Sequence, residues 1–66
     1  MYNNKTILAL GNKRVSFTLK ANGLWNVRKY RINSISTQSI ENIDIDTEKV
    51  GELMDNLYQD GYSIVA

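Results

Sequence analysis

The feature that most constrains the fold of this chain is the segment Arg14–Arg31, in which apolar and polar residues alternate on both sides of a glycine-containing turn. Alternation with a period of two residues is typical of a strand with one buried and one exposed face. The apolar positions of the two arms are Val15, Phe17, Leu19, Trp25 and Val27. The segment is therefore predicted to form a β-hairpin with one apolar face.

The length of the loop decides which residues of the two arms lie opposite each other. A two-residue Asn-Gly turn would set Leu19 opposite Asn26 and would mix apolar with polar positions along the pair. A three-residue loop, Ala21–Gly23, with its glycine in the left-handed conformation, sets Leu19 opposite Trp25 instead. Since a slip of one residue would exchange the two faces of a strand, the apolar pattern favours the three-residue loop.

The other face of this hairpin is predicted to be basic and polar. It carries Arg14, Lys20, Arg28 and Tyr30, with Ser16, Thr18 and Asn26 between them and with Lys13, Lys29 and Arg31 at its margin. Lys and Arg neutralise phosphates, and aromatic rings on a sheet stack on nucleic-acid bases. The charged residues and Tyr30 are therefore candidates for a nucleic-acid interface. Trp25 is a second aromatic candidate, but the favoured register places it in the core.

Charge is divided unevenly along the chain, although the formal net charge is only +1. Residues 1–40 hold seven Lys and Arg residues and no acidic residue, whereas residues 41–66 hold all seven Asp and Glu residues and one lysine. Such segregation indicates one basic and one acidic surface. Attraction between the two halves within the fold would explain the same pattern without any binding role.

Two further strands are expected beside the hairpin. Thr6–Leu10 is short and apolar and is followed by a Gly-Asn turn, so it reads as a strand that is central or covered on both faces. The polar stretch Asn33–Ser39 is interpreted as a turn with ragged strand ends. The isoleucines at positions 40, 43 and 45 then predict a fourth strand.

A single helix is predicted over residues 47–60. Its apolar residues follow the i, i+3, i+4, i+7 spacing of one helical stripe, and they are Val50, Leu53, Met54 and Leu57. Asp46 is expected to cap the first turn through its carboxylate, and Gly61 to end the helix in the left-handed conformation. Gly51 costs about 1 kcal/mol relative to Ala, which suggests a close approach of the helix to the sheet.

The predicted fold class is α+β: an antiparallel four-stranded sheet with one helix packed on one face, and with room for a short last strand over Tyr62–Val65. We expect one small domain over residues 1–66, with Met1–Asn4 as a flexible lead-in. A chain this short buries only about 60% of its unfolded surface. We therefore expect a homodimer, in which the apolar edges at Thr6–Leu10 and Tyr62–Val65, or the helix, pair with a second copy.

Enzymatic chemistry is poorly supported by the composition. The chain has no His and no Cys, so the commonest general base and the strongest nucleophile are both missing. Asp44 and Asp46 have the spacing of a carboxylate pair, but a strand position and a helix cap explain them more simply. We expect no enzyme activity, no cofactor and no metal. No apolar run approaches about 18 residues, so we expect a cytoplasmic protein without a membrane segment.

The order of the elements resembles two groups of small nucleic-acid-binding proteins. One is the single-strand-binding transcriptional coactivators, in which a curved four-stranded sheet precedes one helix and dimers bind DNA. The other is the small dimeric RNA-binding translational repressors, built of strands followed by a helix. The resemblance covers the element order and the basic sheet face, and no family motif accompanies it.

Two functions are therefore expected from the sequence. The first is a non-enzymatic binder of single-stranded DNA or RNA, with weak sequence preference, acting through the basic hairpin face. The alternative is a small protein–protein interaction or inhibitory module, including one derived from a phage, that docks a host or partner protein on an acidic helix face. That face comprises Glu48, Glu52, Asp55 and Gln59.

Overall fold

The computed structural model describes residues 4–66. Its elements are β1 (Lys5–Leu10), β2 (Lys13–Leu19), β3 (Trp25–Ile32), β4 (Thr37–Ile45), α1 (Thr47–Asp60) and β5 (Ser63–Ile64). The strands form one antiparallel sheet in the order β4-β3-β2-β1-β5, and α1 packs on one of its faces. The α+β prediction is confirmed, and the last strand is present. Of the expected lead-in, residues 1–3 lie outside the described residues.

The β2–β3 hairpin has the register that the apolar pattern favours. Leu19 lies opposite Trp25, and the loop between them is closed by a hydrogen bond from the Lys20 backbone N–H to the Leu24 carbonyl, 2.8 Å long. Gly23 has a φ of 85°, in the left-handed region that a residue with a side chain rarely adopts. The three-residue loop thus places every apolar position of both arms on the same face.

The core lies between this face of the sheet and α1. Phe17, Leu8, Val15 and Val27 are its largest fully buried side chains. They form one cluster with Val50 and Leu57 of the helix, and Leu53 and Met54 pack against it. Trp25 is only 6% exposed, and its indole Nε1 donates a hydrogen bond to Thr47 Oγ1 over 3.2 Å. The predicted core, including the burial of Trp25, is confirmed.

The predicted bounds of α1 are confirmed, but two details of the helix differ from the prediction. Asp46 occupies the N-cap position, yet its carboxylate makes no capping hydrogen bond. A Cβ added to Gly51 would meet no atom within 4 Å, so the helix does not approach the sheet there. The C-terminus is as expected: Gly61 has a φ of 107°, and the Tyr62 backbone N–H donates to the Leu57 carbonyl. No helix within residues 4–66 is long and apolar enough to span a membrane.

Of the two apolar edges expected to pair with a second copy, the one at β5 lies at an edge of the sheet and the one at Thr6–Leu10 does not. β1 is not an edge strand, because β5 pairs with it and the chain continues this pairing through hydrogen bonds between Ile7 and the last two residues. The expected Thr6–Leu10 edge is therefore already occupied within the chain. The longer outer strand is β4, which begins at Thr37, so that the turn before it is confined to Asn33–Ser36.

Candidate nucleic-acid interface

The face of the sheet opposite α1, which we call the open face, carries the polar positions of the hairpin. Its charged side chains are Lys5, Arg14, Lys20, Arg28 and Asp44, four basic and one acidic. Sequence reasoning missed Lys5, because the residue precedes the apolar run that identified the first strand. Its position opposite Thr18 places it on this face. The open face is therefore basic, as predicted, but it is wider than the hairpin.

A guanidinium–aromatic pair lies on β3 in the open face. The guanidinium carbon of Arg28 is 5.0 Å from the centre of the Tyr30 ring, a distance at which a cation and an aromatic face attract each other. Arg14 lies directly opposite Tyr30 on β2. Ser16 lies opposite Arg28 and is 7% exposed, so the larger side chains around it form the accessible surface.

Arg14 is held in place by the backbone of the β1–β2 turn. Its Nη1 donates hydrogen bonds to the Gly11 carbonyl, at 2.6 Å, and to the Lys13 carbonyl, at 3.0 Å. A guanidinium has five N–H donors, so these contacts leave donors free for an anion. The turn therefore orients a charged group on the open face without neutralising it.

Lys20 is neutralised by Asp44 of β4, an instance of the attraction between the two halves of the chain that would also explain the charge segregation. Its Nζ lies 2.7 Å from Asp44 Oδ2, and Asn26 Nδ2 donates to Asp44 Oδ1 over 3.1 Å. The hydrogen bonds from Lys20 and Asn26 lower the pKa of the Asp44 carboxyl below its ordinary value of 3.8. Because both partners are partly exposed, the pair is a weak surface ion pair.

The three basic residues expected at the margin of this interface lie on the opposite face. Lys13, Lys29 and Arg31 alternate with Arg14, Arg28 and Tyr30, and the regular β2–β3 pairing keeps them on the side of α1. Lys29 Nζ is 3.7 Å from Glu41 Oε2, which gives it a partner on β4. These three residues therefore belong to a second basic region and not to the open face.

The acidic helix face is separated from the open face by the sheet and the core. Glu48, Glu52, Asp55 and Gln59 are all exposed, and the helix residues that pack on the sheet are on the other side of α1. None of the three carboxylates forms an ion pair within residues 4–66. The structure thus places the two candidate binding surfaces on opposite sides of the molecule.

Comparison with protein-family models, curated proteins and solved structures finds no match for this chain. The candidate site must therefore be judged by its own chemistry. Among the described residues there is no group of three or more His, Cys, Asp or Glu that could hold a metal ion. Asp44, considered above as one of a carboxylate pair, is engaged by Lys20 and Asn26.

Proposed function

We propose that this protein is a non-enzymatic nucleic-acid-binding protein of the cytoplasm that takes single-stranded DNA or RNA on its open face. The observation that carries this proposal is the Arg28–Tyr30 pair, with Arg14 beside it, on a sheet face that α1 leaves uncovered. An aromatic ring next to cations is the arrangement by which sheets bind unpaired bases and their phosphates. A binder of this kind needs no catalytic group.

Phosphate contacts supply most of the affinity in this proposal. Arg14, Arg28 and Lys5 have no ion-pair partner in the part of the chain that the structure describes, so their charges are free to neutralise phosphates. Lys20 contributes less, because Asp44 already neutralises it. Contacts to phosphate carry no sequence information, and Tyr30 would stack on any base, so the sequence preference is weak.

The acidic helix face gives the nucleic acid a single orientation on the molecule. Its carboxylates repel a polyanion from the side of α1, while the open face attracts it. The charge segregation along the chain would then both attract the nucleic acid to the open face and repel it from α1.

We further propose that the homodimer forms along β4. This strand is nine residues long, and Ile40 and Ile43, which are 58% and 40% exposed, lie in it. A second copy that paired antiparallel with β4 would be related by a two-fold axis and would extend the open face across both sheets. Sedimentation at high micromolar concentration tests this proposal, since a monomer under those conditions would refute it.

The function is tested by titrating fluorescently labelled oligothymidylate and oligouridylate, both with a 5′-hydroxyl end, against the full chain. We expect an anisotropy increase at low salt and an affinity that falls linearly on a log–log plot between about 50 and 200 mM salt. Duplex DNA of the same length is the control, and it should bind more weakly because its bases are stacked on each other. Absence of binding to either single strand at about 50 mM salt would overturn the proposal.

The acidic helix face supports a second candidate function, because its exposed carboxylates lack partners within residues 4–66. In this alternative, α1 docks on a basic partner protein and the hairpin is only a scaffold. Glu48→Gln and Glu52→Gln substitutions would then abolish partner binding, while substitutions on the open face would have no effect. The proposal of nucleic-acid binding expects the reverse pattern.

A further inference from the structure

A cleft of about 290 Å³ lies on the helix side of the sheet, between the last turn of α1 and the adjoining ends of β2 and β3. The three basic residues that are absent from the open face, Lys13, Lys29 and Arg31, line it together. Arg14 and Tyr30 also border the cleft. Strand alternation nevertheless places these two residues on the open face, whereas Lys13, Lys29 and Arg31 are on the side of α1. The fold therefore contains a second cluster of positive charge that the proposed function does not use.

Two of these cations are placed in a way that folding alone does not favour. Lys13 and Arg31 are direct partners across the β2–β3 pair, and like charges in directly opposite positions destabilise a sheet. The nearby carboxylate of Glu41 is engaged with Lys29, at 3.7 Å. Neither Lys13 nor Arg31 forms an ion pair with any residue between positions 4 and 66. An anionic ligand would relieve this repulsion.

The rest of the cleft is suited to a ligand with an apolar or aromatic body. Val15 and Leu57 are buried beneath it, while Tyr62 and Ile40 line it with more exposed surface. Asp60 lines the cleft from α1, where its carboxylate can accept a hydrogen bond from an N–H of the ligand. The volume is near the lower end of the range for small-molecule sites, about 300–1,000 Å³.

We propose that this cleft binds a phosphate monoester whose body is a flat, N–H-bearing ring, as in a nucleotide. The phosphate lies between Lys13 and Arg31, where the planar guanidinium can donate two parallel hydrogen bonds to it. The ring packs against Tyr62 and Ile40 and faces Asp60. The phosphate can belong to a free nucleotide or to the 5′ end of a nucleic-acid strand, since the chemistry recognised is the same.

The test is a calorimetric titration of the full chain with adenosine monophosphate, and separately with adenosine, at about 50 mM salt. We expect the monophosphate to bind about tenfold or more tightly than the nucleoside, because only the monophosphate carries the charged group. The variant Lys13→Gln/Arg31→Gln should lose this difference. The matched control is Lys5→Gln/Arg28→Gln, which removes the same charge from open-face residues that do not line the cleft and should bind the monophosphate as the wild type does.

The two possible sources of the phosphate, a free nucleotide and the 5′ end of a strand, are distinguished by comparing oligothymidylates that carry a 5′-phosphate or a 5′-hydroxyl group. A preference for the 5′-phosphate that Lys13→Gln/Arg31→Gln removes assigns the cleft to strand ends, and equal binding of the two assigns it to free nucleotides. Binding of the 5′-hydroxyl strand tests the open face alone, so the two proposals can fail separately.

Thermal unfolding without ligand is a check on folding, because Lys13→Gln should raise Tm by removing the like-charge contact. Equal affinity of the wild type and Lys13→Gln/Arg31→Gln for the monophosphate, or no binding by either, would overturn the inference.

Discussion

The two faces of the β2–β3 hairpin are made by alternate residues of the same strands, yet they differ in how far their side chains are buried. On the helix side, Phe17 and Val27 lie opposite each other and are completely buried. On the open face, Arg28 and Tyr30, which are next to each other on the same side of β3, remain accessible to solvent. Packing therefore determines the identity of the residues buried beneath α1, whereas the open face is free to carry binding chemistry.

The same comparison separates two kinds of basic residue. Lys20 and Lys29 are paired with Asp44 and Glu41 of β4, so part of the charge segregation in the sequence is explained by attraction within the sheet. Arg14 and Arg28 have no such partner in the described structure. The charges of Arg14 and Arg28 are therefore not explained by attraction to an acidic residue of the described structure.

The largest effect is expected from substitution on the buried face. Phe17→Ala should lower the free energy of unfolding by about 3–5 kcal/mol, because it removes a fully buried ring and leaves a cavity. The neighbouring Thr18→Ala, on the open face, should change it by less than about 0.5 kcal/mol. Urea unfolding followed by circular dichroism measures both. Similar losses in the two variants would show that the open face is also structural.

The next largest effect is expected in binding and not in stability. Tyr30→Ala should weaken binding of single-stranded DNA by about 1–3 kcal/mol, the usual contribution of one base stacked on an aromatic side chain. Tyr58→Ala is the matched control, because Tyr58 is a partly exposed tyrosine on α1. Anisotropy titrations should show wild-type affinity for the control. Equal losses in both variants would contradict a binding role for the open face.

Two glycines of the helical region should respond in opposite directions. Gly51→Ala should raise the stability by up to about 1 kcal/mol, because the space around it is empty and Ala is the better helix former. Gly61→Ala should lower the stability by a similar amount, since a φ of 107° strains any residue with a Cβ. Thermal unfolding measures both changes. Loss of stability in Gly51→Ala would indicate a close contact at that position.

The smallest effect concerns the ion pair on the open face. Because the pKa of Asp44 is lowered in the folded protein, its contribution to stability is fully present above the unfolded value of 3.8 and is lost as the pH falls through the folded pKa. Asp44→Asn should therefore have a slightly lower Tm than the wild type at pH 6, and the difference should disappear as the pH falls below 3.8 and through the lowered pKa of the folded protein. A difference that did not change with pH would assign the effect to packing.

The sequence was sufficient to predict features that depend on local patterns. The apolar alternation and Gly23 predicted the hairpin register, and the spacing of apolar residues predicted α1. What it could not show was which charged residues meet across strands that are distant in the sequence. The pairing of Lys20 with Asp44, 24 residues later, depends on the β3–β4 register. Occupation of the β1 edge by β5 likewise depends on the path of the chain over the core.

The position of Lys13 and Arg31 follows from an alternation that the sequence analysis used for apolar residues only. Applied strictly to β2 and β3, the period of two residues places both on the same face as Val15 and Val27. The prediction that Lys13 and Arg31 lie at the margin of the open face did not apply this period to them. The basic cleft could therefore have been anticipated from the sequence, although the last turn of α1 that forms its other wall could not.

The central claim is that nucleic acid binds to the open face and not simply to positive charge. The most direct test compares Arg14→Gln/Arg28→Gln with Lys13→Gln/Arg31→Gln, which remove equal charge from opposite faces, in salt titrations against a 5′-hydroxyl oligothymidylate. We predict that the first variant binds more weakly and has a salt slope reduced by about 0.7–1 unit for each lost contact, while the second retains the wild-type slope. Equal losses in the two variants, or a larger loss in the second, would contradict the claim.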